Sequence, residues 1–246
     1  MTRVLIIGAT SAIATACARL WVKPGNEFFL VARNKEKLEQ IAADLLARGA
    51  RAVNVYCMDA TDLPAHPLML ESCLEAMRQI DIALIAHGTL PDQAACQLSV
   101  DVALRELNNN GTSVVALLTL LANQFEIQRC GTLAVISSVA ADRGRPSNYL
   151  YGTAKAAVST FCEGLRARLY KSGVHVITIK PGFVDTPMTQ GLGLPAVLVA
   201  SPESVAKRIL IGIDRKVATL YVPGFWSIIM LIIRCIPQFV FKRLSL

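Results

Sequence analysis

Three side chains at fixed offsets in the second half of the chain carry groups that can act on one substrate oxygen. Tyr151 and Lys155 stand four residues apart in a stretch of helical pattern, so they share a helix face one turn apart. A lysine ammonium beside a phenol stabilises the phenolate and is expected to lower the tyrosine pKa from its usual value of about 10. The hydroxyl then becomes an acid or base usable near neutral pH. Ser138 closes an apolar run thirteen residues before Tyr151 and is placed to donate a hydrogen bond to the same oxygen. A Tyr-x-x-x-Lys pair alone is common surface decoration. The strand-borne serine, and a glycine turn near the start of the chain, take this pair out of that class.

Positioning these groups takes a strand ending at Ser138 and a helix beginning before Tyr151, and the whole chain carries that alternation. Short runs of Val, Ile and Leu without polar alternation mark strands at 3–7, 27–31, 52–57, 82–86, 131–137, 174–180 and 219–222. Such runs suit parallel strands buried on both faces. Segments 11–22, 35–48, 67–78, 93–107, 112–128, 149–171 and 202–214 are long enough to be crossover helices. The pattern predicts an α/β fold, a single-domain Rossmann-type doubly wound parallel sheet of about seven strands flanked by helices. Residues 1–222 form the expected dinucleotide-binding catalytic domain, and 223–246 an apolar, basic tail. Residues 186–200, with Gly191, Leu192, Gly193 and Pro195, and the tail are the stretches expected to be mobile.

Composition narrows the class. Among 246 residues, 53% are hydrophobic and only 17% charged, which excludes general disorder. Seven cysteines without a C-x-x-C pair argue against a disulfide scaffold or zinc ribbon, and three scattered histidines against a metal cluster, so no metal is expected. Met1-Thr2-Arg3 and a short apolar run ending in Gly8 do not make a secretory signal. Residues 225–240 are interrupted by Arg234 and Pro237, so they fall short of the ~20 apolar residues that a spanning helix needs. A cytoplasmic protein is expected. Of the net charge of +7, +5 lies from residue 201 onward, interleaved with apolar residues. That distribution, with no reading helix, disfavours a nucleic-acid partner.

The first strand runs into Gly8-Ala9-Thr10-Ser11-Ala12-Ile13-Ala14 and then a helix. In dinucleotide folds such a turn sets backbone N–H groups and the positive helix end against a pyrophosphate. Gly8 keeps the freedom for the tight turn. Ala14 suits close packing of helix on sheet, whereas Ala12 adds a methyl group near the phosphate. At the end of the second strand Arg33 stands where NAD readers usually carry a carboxylate. A guanidinium pairs with phosphate in a planar fork, so NADP(H) is preferred, with NAD(H) as the other option. Asp59 is placed either to touch the adenine edge or to cap the following helix.

Taken together, the Gly8 turn, Asp59, Ala86-His87-Gly88, Asn108-Asn109-Asn110-Gly111, Ser138, the Tyr151–Lys155 pair and Pro181-Gly182 resemble the short-chain dehydrogenase/reductase family over nearly the whole chain. The resemblance implies that Tyr151 is the general acid in carbonyl reduction. It implies too that Lys155 binds the nicotinamide ribose and lowers the tyrosine pKa, and that Ser138 polarises the carbonyl. Asn108 would hold a proton-relay water, with Asn109 and Asn110 as alternatives for that role. Gly8, Thr10, Ser11, Ala12, Ile13, Arg33, Asp59, Ala86 and Gly88 would hold the cofactor along with Tyr151 and Lys155. Pro181, Gly182 and Thr186 would border its nicotinamide end. A homodimer or homotetramer through helices 112–128 and 149–171 is also implied. The chain departs from the family at the two turn alanines, at Ala86-His87-Gly88, which lacks a polar group that steadies the sheet, and at Asn34-Lys35, which leaves a 2′-phosphate pocket incomplete. His87 is read as a space-filling loop residue near the adenosine.

The tail carries Phe225, Trp226, a run of Ile and Leu, and Lys242-Arg243, which fits a segment lying at a lipid interface. Covering the substrate pocket, or packing across a subunit interface, are the alternatives. The tail and the turn resemble the branch containing the keto-reducing subunit of decaprenylphosphoryl ribose 2-epimerase, which implies a ketone on a lipid-linked sugar or other lipophilic substrate. A reductase of ketones to secondary alcohols is the reading these features favour. A vestigial nucleotide-binding scaffold or redox sensor, suggested by Ala12 and Ala86, is the alternative.

Overall fold

A computed structural model describes every residue of the chain except Leu192, Leu194, Ser245 and Leu246. Seven strands run parallel in the order β3-β2-β1-β4-β5-β6-β9. They are β1 (Arg3–Ile7), β2 (Glu27–Ala32), β3 (Ala52–Cys57), β4 (Ile82–Ile85), β5 (Thr132–Ile136), β6 (His175–Pro181) and β9 (Thr219–Val222). Each coincides with an expected strand to within a residue or two. Because both faces are covered, alternate residues of one strand enter two separate cores. In β1, Val4 and Ile6 join the core beneath helices α1 (Ala12–Trp21), α2 (Lys35–Ala47) and α8 (Pro202–Asp214). Leu5 and Ile7 join the core beneath α3 (His66–Met77), α6 (Ser113–Gln128) and α7 (Tyr149–Leu169). This two-sided burial explains why the strands read as unbroken apolar runs.

The expected helix at 93–107 is two helices, α4 (Gln93–Leu98) and α5 (Val100–Leu107). Ser99 adopts an extended conformation, and its hydroxyl accepts the Val102 N–H to start the second helix. The Asn-Asn-Asn-Gly stretch, left between helices in the sequence pattern, is instead one wide π-turn, Asn108–Thr112, joining α5 to α6. Such turns are frequent beside functional sites.

The segment expected to be mobile is tied down at both ends by a two-stranded parallel pair, β7 (Phe183–Val184) and β8 (Val199–Ala200). Between them Thr189 Oγ1 hydrogen-bonds the Val184 carbonyl. Leu192 and Leu194 of that segment, and Ser245 and Leu246 of the tail, lie outside the described residues.

The tail packs on the body as α9 (Trp226–Cys235) and α10 (Gln238–Phe241). Trp226, Met230 and Phe241 are buried. Arg143, on the loop after β5, holds the end of α9 in place. Its Nη1 donates to the carbonyls of Ile233 and Ile236, the latter at 2.7 Å, and Nη2 donates to Gln238 Oε1 at 3.1 Å. The same guanidinium lies 3.7 Å from the centre of the Phe241 ring. Among the described residues no helix is long and apolar enough to cross a membrane, and no cluster of side chains could hold a metal ion.

Candidate active site

The order of the sheet reverses beside β1, where the chain passes from β3 at one edge to β4 on the other side. Ligands of doubly wound sheets bind at such a switch point, outside the carboxyl ends of the strands. A cavity of about 560 Å³ opens there. All but one of the expected site residues line it: Gly8, Thr10, Ser11, Ala12, Ile13, Arg33, Asp59, Ala86, Gly88, Ser138, Tyr151, Lys155, Pro181, Gly182 and Thr186. The exception is Asn108, whose carbonyl is occupied in the π-turn by the Ser113 N–H. Asn109 and Asn110 line the cavity instead, because the wide turn rotates them inward.

At the Gly8 turn the backbone has φ +80°, and a Cβ would sit 2.4 Å from the His87 backbone nitrogen. The glycine therefore serves both the turn and the close approach of the β4 loop. Ser11 caps α1 through its hydroxyl, which accepts the Ala14 N–H. The N–H groups of Ala12 and Ile13, at the first two positions of α1, have no intrahelical acceptor and lie at the positive end of the helix. Ala14 is fully buried in the core, as close helix–sheet packing requires.

At the far edge Arg33 lies 3.7 Å from an Asp59 carboxylate oxygen, both largely exposed. Asp59 does not cap a helix. It accepts the Thr61 N–H at 2.9 Å and the Thr61 hydroxyl at 2.8 Å, closing its own turn. Burial works to raise the Asp59 pKa, but the Thr61 bonds and Arg33 outweigh it and hold the carboxyl below its ordinary value. Lys37, in the first turn of α2, lines the cavity too, and the Asn34 side chain accepts its N–H. Lys35 points elsewhere, toward Glu39 at 3.9 Å. Lys37, three residues after Asn34, thus adds a second cation beside Arg33 to the lining of the cavity.

The polar group missing from Ala86-His87-Gly88 is replaced from the helices opposite. His87 is half-buried, with Nε2 2.9 Å from Ser113 Oγ. Since the Ser113 hydroxyl donates to the Asn109 carbonyl, His87 Nε2 carries the proton and Nδ1 is a buried acceptor without a partner. Burial, then the charge of Lys155, pushes the His87 pKa down to about 3. Thr89 completes the replacement: its N–H donates to Asn110 Oδ1 at 2.9 Å and its hydroxyl to Glu106 Oε2 at 2.6 Å.

The reacting groups stand between β5 and α7. Ser137 anchors the two elements, with its hydroxyl 2.8 Å from Ser159 Oγ and 3.1 Å from the Lys155 carbonyl. Gly152 lets α7 press against the turn after β5, since a Cβ there would lie 2.8 Å from the Ala140 carbonyl oxygen. Tyr151 and Ser138 then line the cavity together, the serine near enough to favour the phenolate, and Ser138 Oγ accepts the Ala140 N–H at 3.1 Å. Lys155 is buried, with Nζ donating to the Ile136 carbonyl at 3.1 Å and lying 5.7 Å from the centre of the Tyr151 ring. A Cβ at Gly88 would be 2.7 Å from Asn110 Oδ1 and 3.5 Å from Lys155 Nζ, so both side chains converge on this backbone.

The electrostatics correct one expectation. Without cofactor, the Tyr151 pKa is not lowered. Burial pushes it up to about 12, against the opposing influence of the nearby Ser138 hydroxyl. Burial also brings Lys155 down to about 8. The lysine Nζ stands 5.7 Å from the ring centre, and desolvation of the phenolate decides the direction.

Behind the wall formed by Pro181–Phe183, Trp226 takes the space that a side chain at position 182 would need: a Cβ on Gly182 would fall 1.9 Å from its indole nitrogen. Trp226 also meets Phe183 edge-on at 5.3 Å. The start of the tail therefore braces the wall formed by Pro181–Phe183. Covering the pocket was among the roles the sequence left open for the tail, but Lys37, Arg145 and Asn148, which line the cavity, were missed. The available signal for the last two was a cation and an amide in the polar loop between Ser138 and Tyr151.

The comparisons agree with this architecture. The family model for short chain dehydrogenases matches residues 2–195. An uncharacterised oxidoreductase of Mycobacterium tuberculosis is 35% identical over 241 residues, covering 98% of this chain and 96% of its own. Another from Streptomyces coelicolor is 35% identical, covering 98% and 94%. A dehydrogenase/reductase SDR family protein 7-like of Anopheles gambiae is 30% identical, covering 86% and 72%. A tryptophan variant of actinorhodin polyketide ketoreductase, solved with NADPH, superposes with a TM-score of 0.82 at 22% identity, over 92% of this chain and 97% of its own. This chain belongs to the short-chain dehydrogenase/reductase family, and with it to the oxidoreductases that use a nicotinamide cofactor.

Proposed function

We propose that the protein is an NADPH-dependent reductase that converts a ketone to a secondary alcohol, and the reverse, with Tyr151 as general acid. The observation that carries this reading is that Ser138, Tyr151 and buried Lys155 line one cavity, with the lysine Nζ 5.7 Å from the centre of the tyrosine ring. A bound nicotinamide would supply the hydride chemistry. Pyrophosphate would rest on the α1 N–H groups of Ala12 and Ile13, beside Thr10 and Ser11. Arg33 and Lys37 would take a 2′-phosphate, and this cation pair is what favours NADP(H) over NAD(H). The unpartnered His87 Nδ1 is suited to accept a hydroxyl proton from an adenosine-side ribose, and Asp59 would face the adenine edge.

The chain's own residues then act on the substrate carbonyl. Ser138 and Tyr151 both donate to its oxygen, orienting it and drawing electron density toward it. A phenol whose ionisation is pushed up by burial is fully loaded with its proton at neutral pH, as an acid in reduction requires. Tyr151 gives that proton to the developing alkoxide. The Lys155 ammonium, held by the Ile136 carbonyl, opposes the negative charge left on the phenol oxygen. Asn110 takes the relay role assigned by resemblance to Asn108, since it is the asparagine that meets Gly88 and Thr89.

A lipophilic substrate, such as a ketone on a lipid-linked sugar, belongs to this proposal because of the tail. The outer face of α9 and α10 presents Ile228, Leu231, Ile232 and Phe239, each more than 60% exposed. Arg234, Lys242 and Arg243 accompany them, and residues 223–246 contain no carboxylate side chain. This combination suits the anionic inner face of a membrane, with the protein peripheral to it on the cytoplasmic side. Self-association through α6 and α7 completes the proposal and is checked by light scattering.

The test is NADPH oxidation over a panel of ketones by the native chain and by Tyr151→Phe. Loss of turnover in the variant with NADPH binding retained is the expected result. Equal turnover refutes the assignment.

A further inference from the structure

Four cationic side chains line the cavity, Arg33, Lys37, Arg145 and Lys155, against the single carboxylate of Asp59. Three of them have duties in the function proposed above, and Arg145 has none. It lies on the segment between Ser138 and Tyr151, at the end of β5. In the sheet order β5 is three strand spacings, on the order of 14 Å, from β2 and the Arg33 end. Arg145 therefore belongs to the substrate side of the cavity.

Its Nε is buried without a hydrogen-bond partner. Three residues later Asn148 returns its N–H to the Arg145 carbonyl at 3.1 Å, so one turn presents both side chains. Asn148 Oδ1 is likewise buried with no donor. The neighbouring Arg143 differs, being committed to the carbonyls at the end of α9 and to the Phe241 ring. Buried donors and acceptors left unpaired destabilise a fold, and native structures hold few of them. Here an arginine and an asparagine, each with an unpaired polar atom, stand in the wall of the same cavity as Ser138 and Tyr151. A planar guanidinium fork matches the paired oxygens of a carboxylate or phosphate.

We propose that Arg145 and Asn148 form an oxyanion subsite in the substrate pocket, so that the preferred ketone carries a carboxylate or phosphate group, with a neighbouring hydroxyl donating to Asn148 Oδ1. The proposal deepens the reductase reading and rests on it for the orientation of the substrate. Loss of the charged contact is expected to cost roughly 10- to 100-fold in selectivity for the anion.

Two matched pairs of probes test it. Acetoacetate against its methyl ester forms the carboxylate arm, and dihydroxyacetone phosphate against dihydroxyacetone the phosphate arm. Their kcat/KM ratios are measured with NADPH for the native chain, Arg145→Gln and Arg145→Lys. Their dissociation constants are measured by calorimetry on NADP+-saturated Tyr151→Phe protein with and without Arg145→Gln. The expected result is a preference for the anion in at least one arm, abolished by Arg145→Gln and largely kept by Arg145→Lys. Asn148→Ala should weaken dihydroxyacetone phosphate more than acetoacetate.

An unchanged anion preference in Arg145→Gln overturns the proposal, as does the absence of anion binding to the native chain at millimolar concentration. Weaker NADPH binding in Arg145→Gln also overturns it, by moving the residue to the cofactor. Failure of the reductase reading shows differently: anion binding would still depend on Arg145, while Tyr151→Phe would turn over as fast as the native chain.

Discussion

Lys180 Nζ lies 2.5 Å from an Asp142 carboxylate oxygen, with the two side chains only 10% and 2% exposed. Tyr221 donates to the other Asp142 oxygen at 2.7 Å. The three residues come from β6, the turn after β5 and β9, so the pair fastens the turn that carries Ser138, Arg143 and Arg145 to two neighbouring strands. Removing one member of a buried ion pair strands the other charge and typically costs 3–5 kcal/mol, whereas a hydrogen bond to a charged group contributes about 1.5–3 kcal/mol. Asp142→Ala is therefore expected to lower unfolding stability by roughly 3 kcal/mol or more, and Tyr221→Phe by less. Urea denaturation of the three proteins checks the order; equal losses would show that the ion pair contributes nothing beyond the Tyr221 bond.

Cofactor choice is expected to depend on two cations together. Arg33→Ala and Lys37→Ala should each weaken NADPH binding roughly tenfold, the scale of one charge-assisted hydrogen bond, and leave NADH nearly unaffected. The exposed Arg33–Asp59 pair holds little energy of its own, so it gives way readily to a phosphate. Fluorescence titration with both nucleotides reads the ratio. A proportionate loss for NADH would move these residues away from the 2′ position.

The stability of the cofactor-free protein should vary with pH in a direction set by half-buried His87 and buried Lys155. His87 titrates at about 3 in the folded chain against an ordinary 6.5. Between those values the unfolded chain binds a proton that the native chain does not, so stability falls as pH drops below 6.5. Lys155 titrates at about 8 against 10.5, and stability from this group rises as pH climbs through that window. His87→Gln should flatten the acid limb of the urea midpoint plotted against pH. An acid limb as steep as the native one would place the proton uptake elsewhere.

Binding to anionic vesicles is expected to need the outer face of α9. A triple variant, Ile228→Ser, Leu231→Ser and Ile232→Ser, alters exposed positions and leaves Trp226 and Met230 in place. Co-sedimentation with vesicles containing phosphatidylserine should fall severalfold in the variant, with thermal stability preserved. Undiminished binding would leave the apolar face for a subunit interface, and light scattering would show whether the triple variant dissociates.

The sequence alone carried the strand positions, because burial on both faces imposes a local composition that can be read residue by residue. It also carried Tyr151, Lys155, Ser138 and the Gly8 turn, since these act through short offsets on single elements. It could not resolve the asparagine triplet. A π-turn and not residue spacing decides that Asn109 and Asn110, and not Asn108, face the cavity. Nor could it supply the pKa of Tyr151, because spacing reports which charge is nearby, while burial depends on everything packed around the phenol. Lys37, Trp226 and the turn that carries Arg145 and Asn148 reach the site from three separate parts of the chain. Their convergence comes from long-range packing, in which side chains distant along the chain meet only once the sheet and its crossovers are assembled.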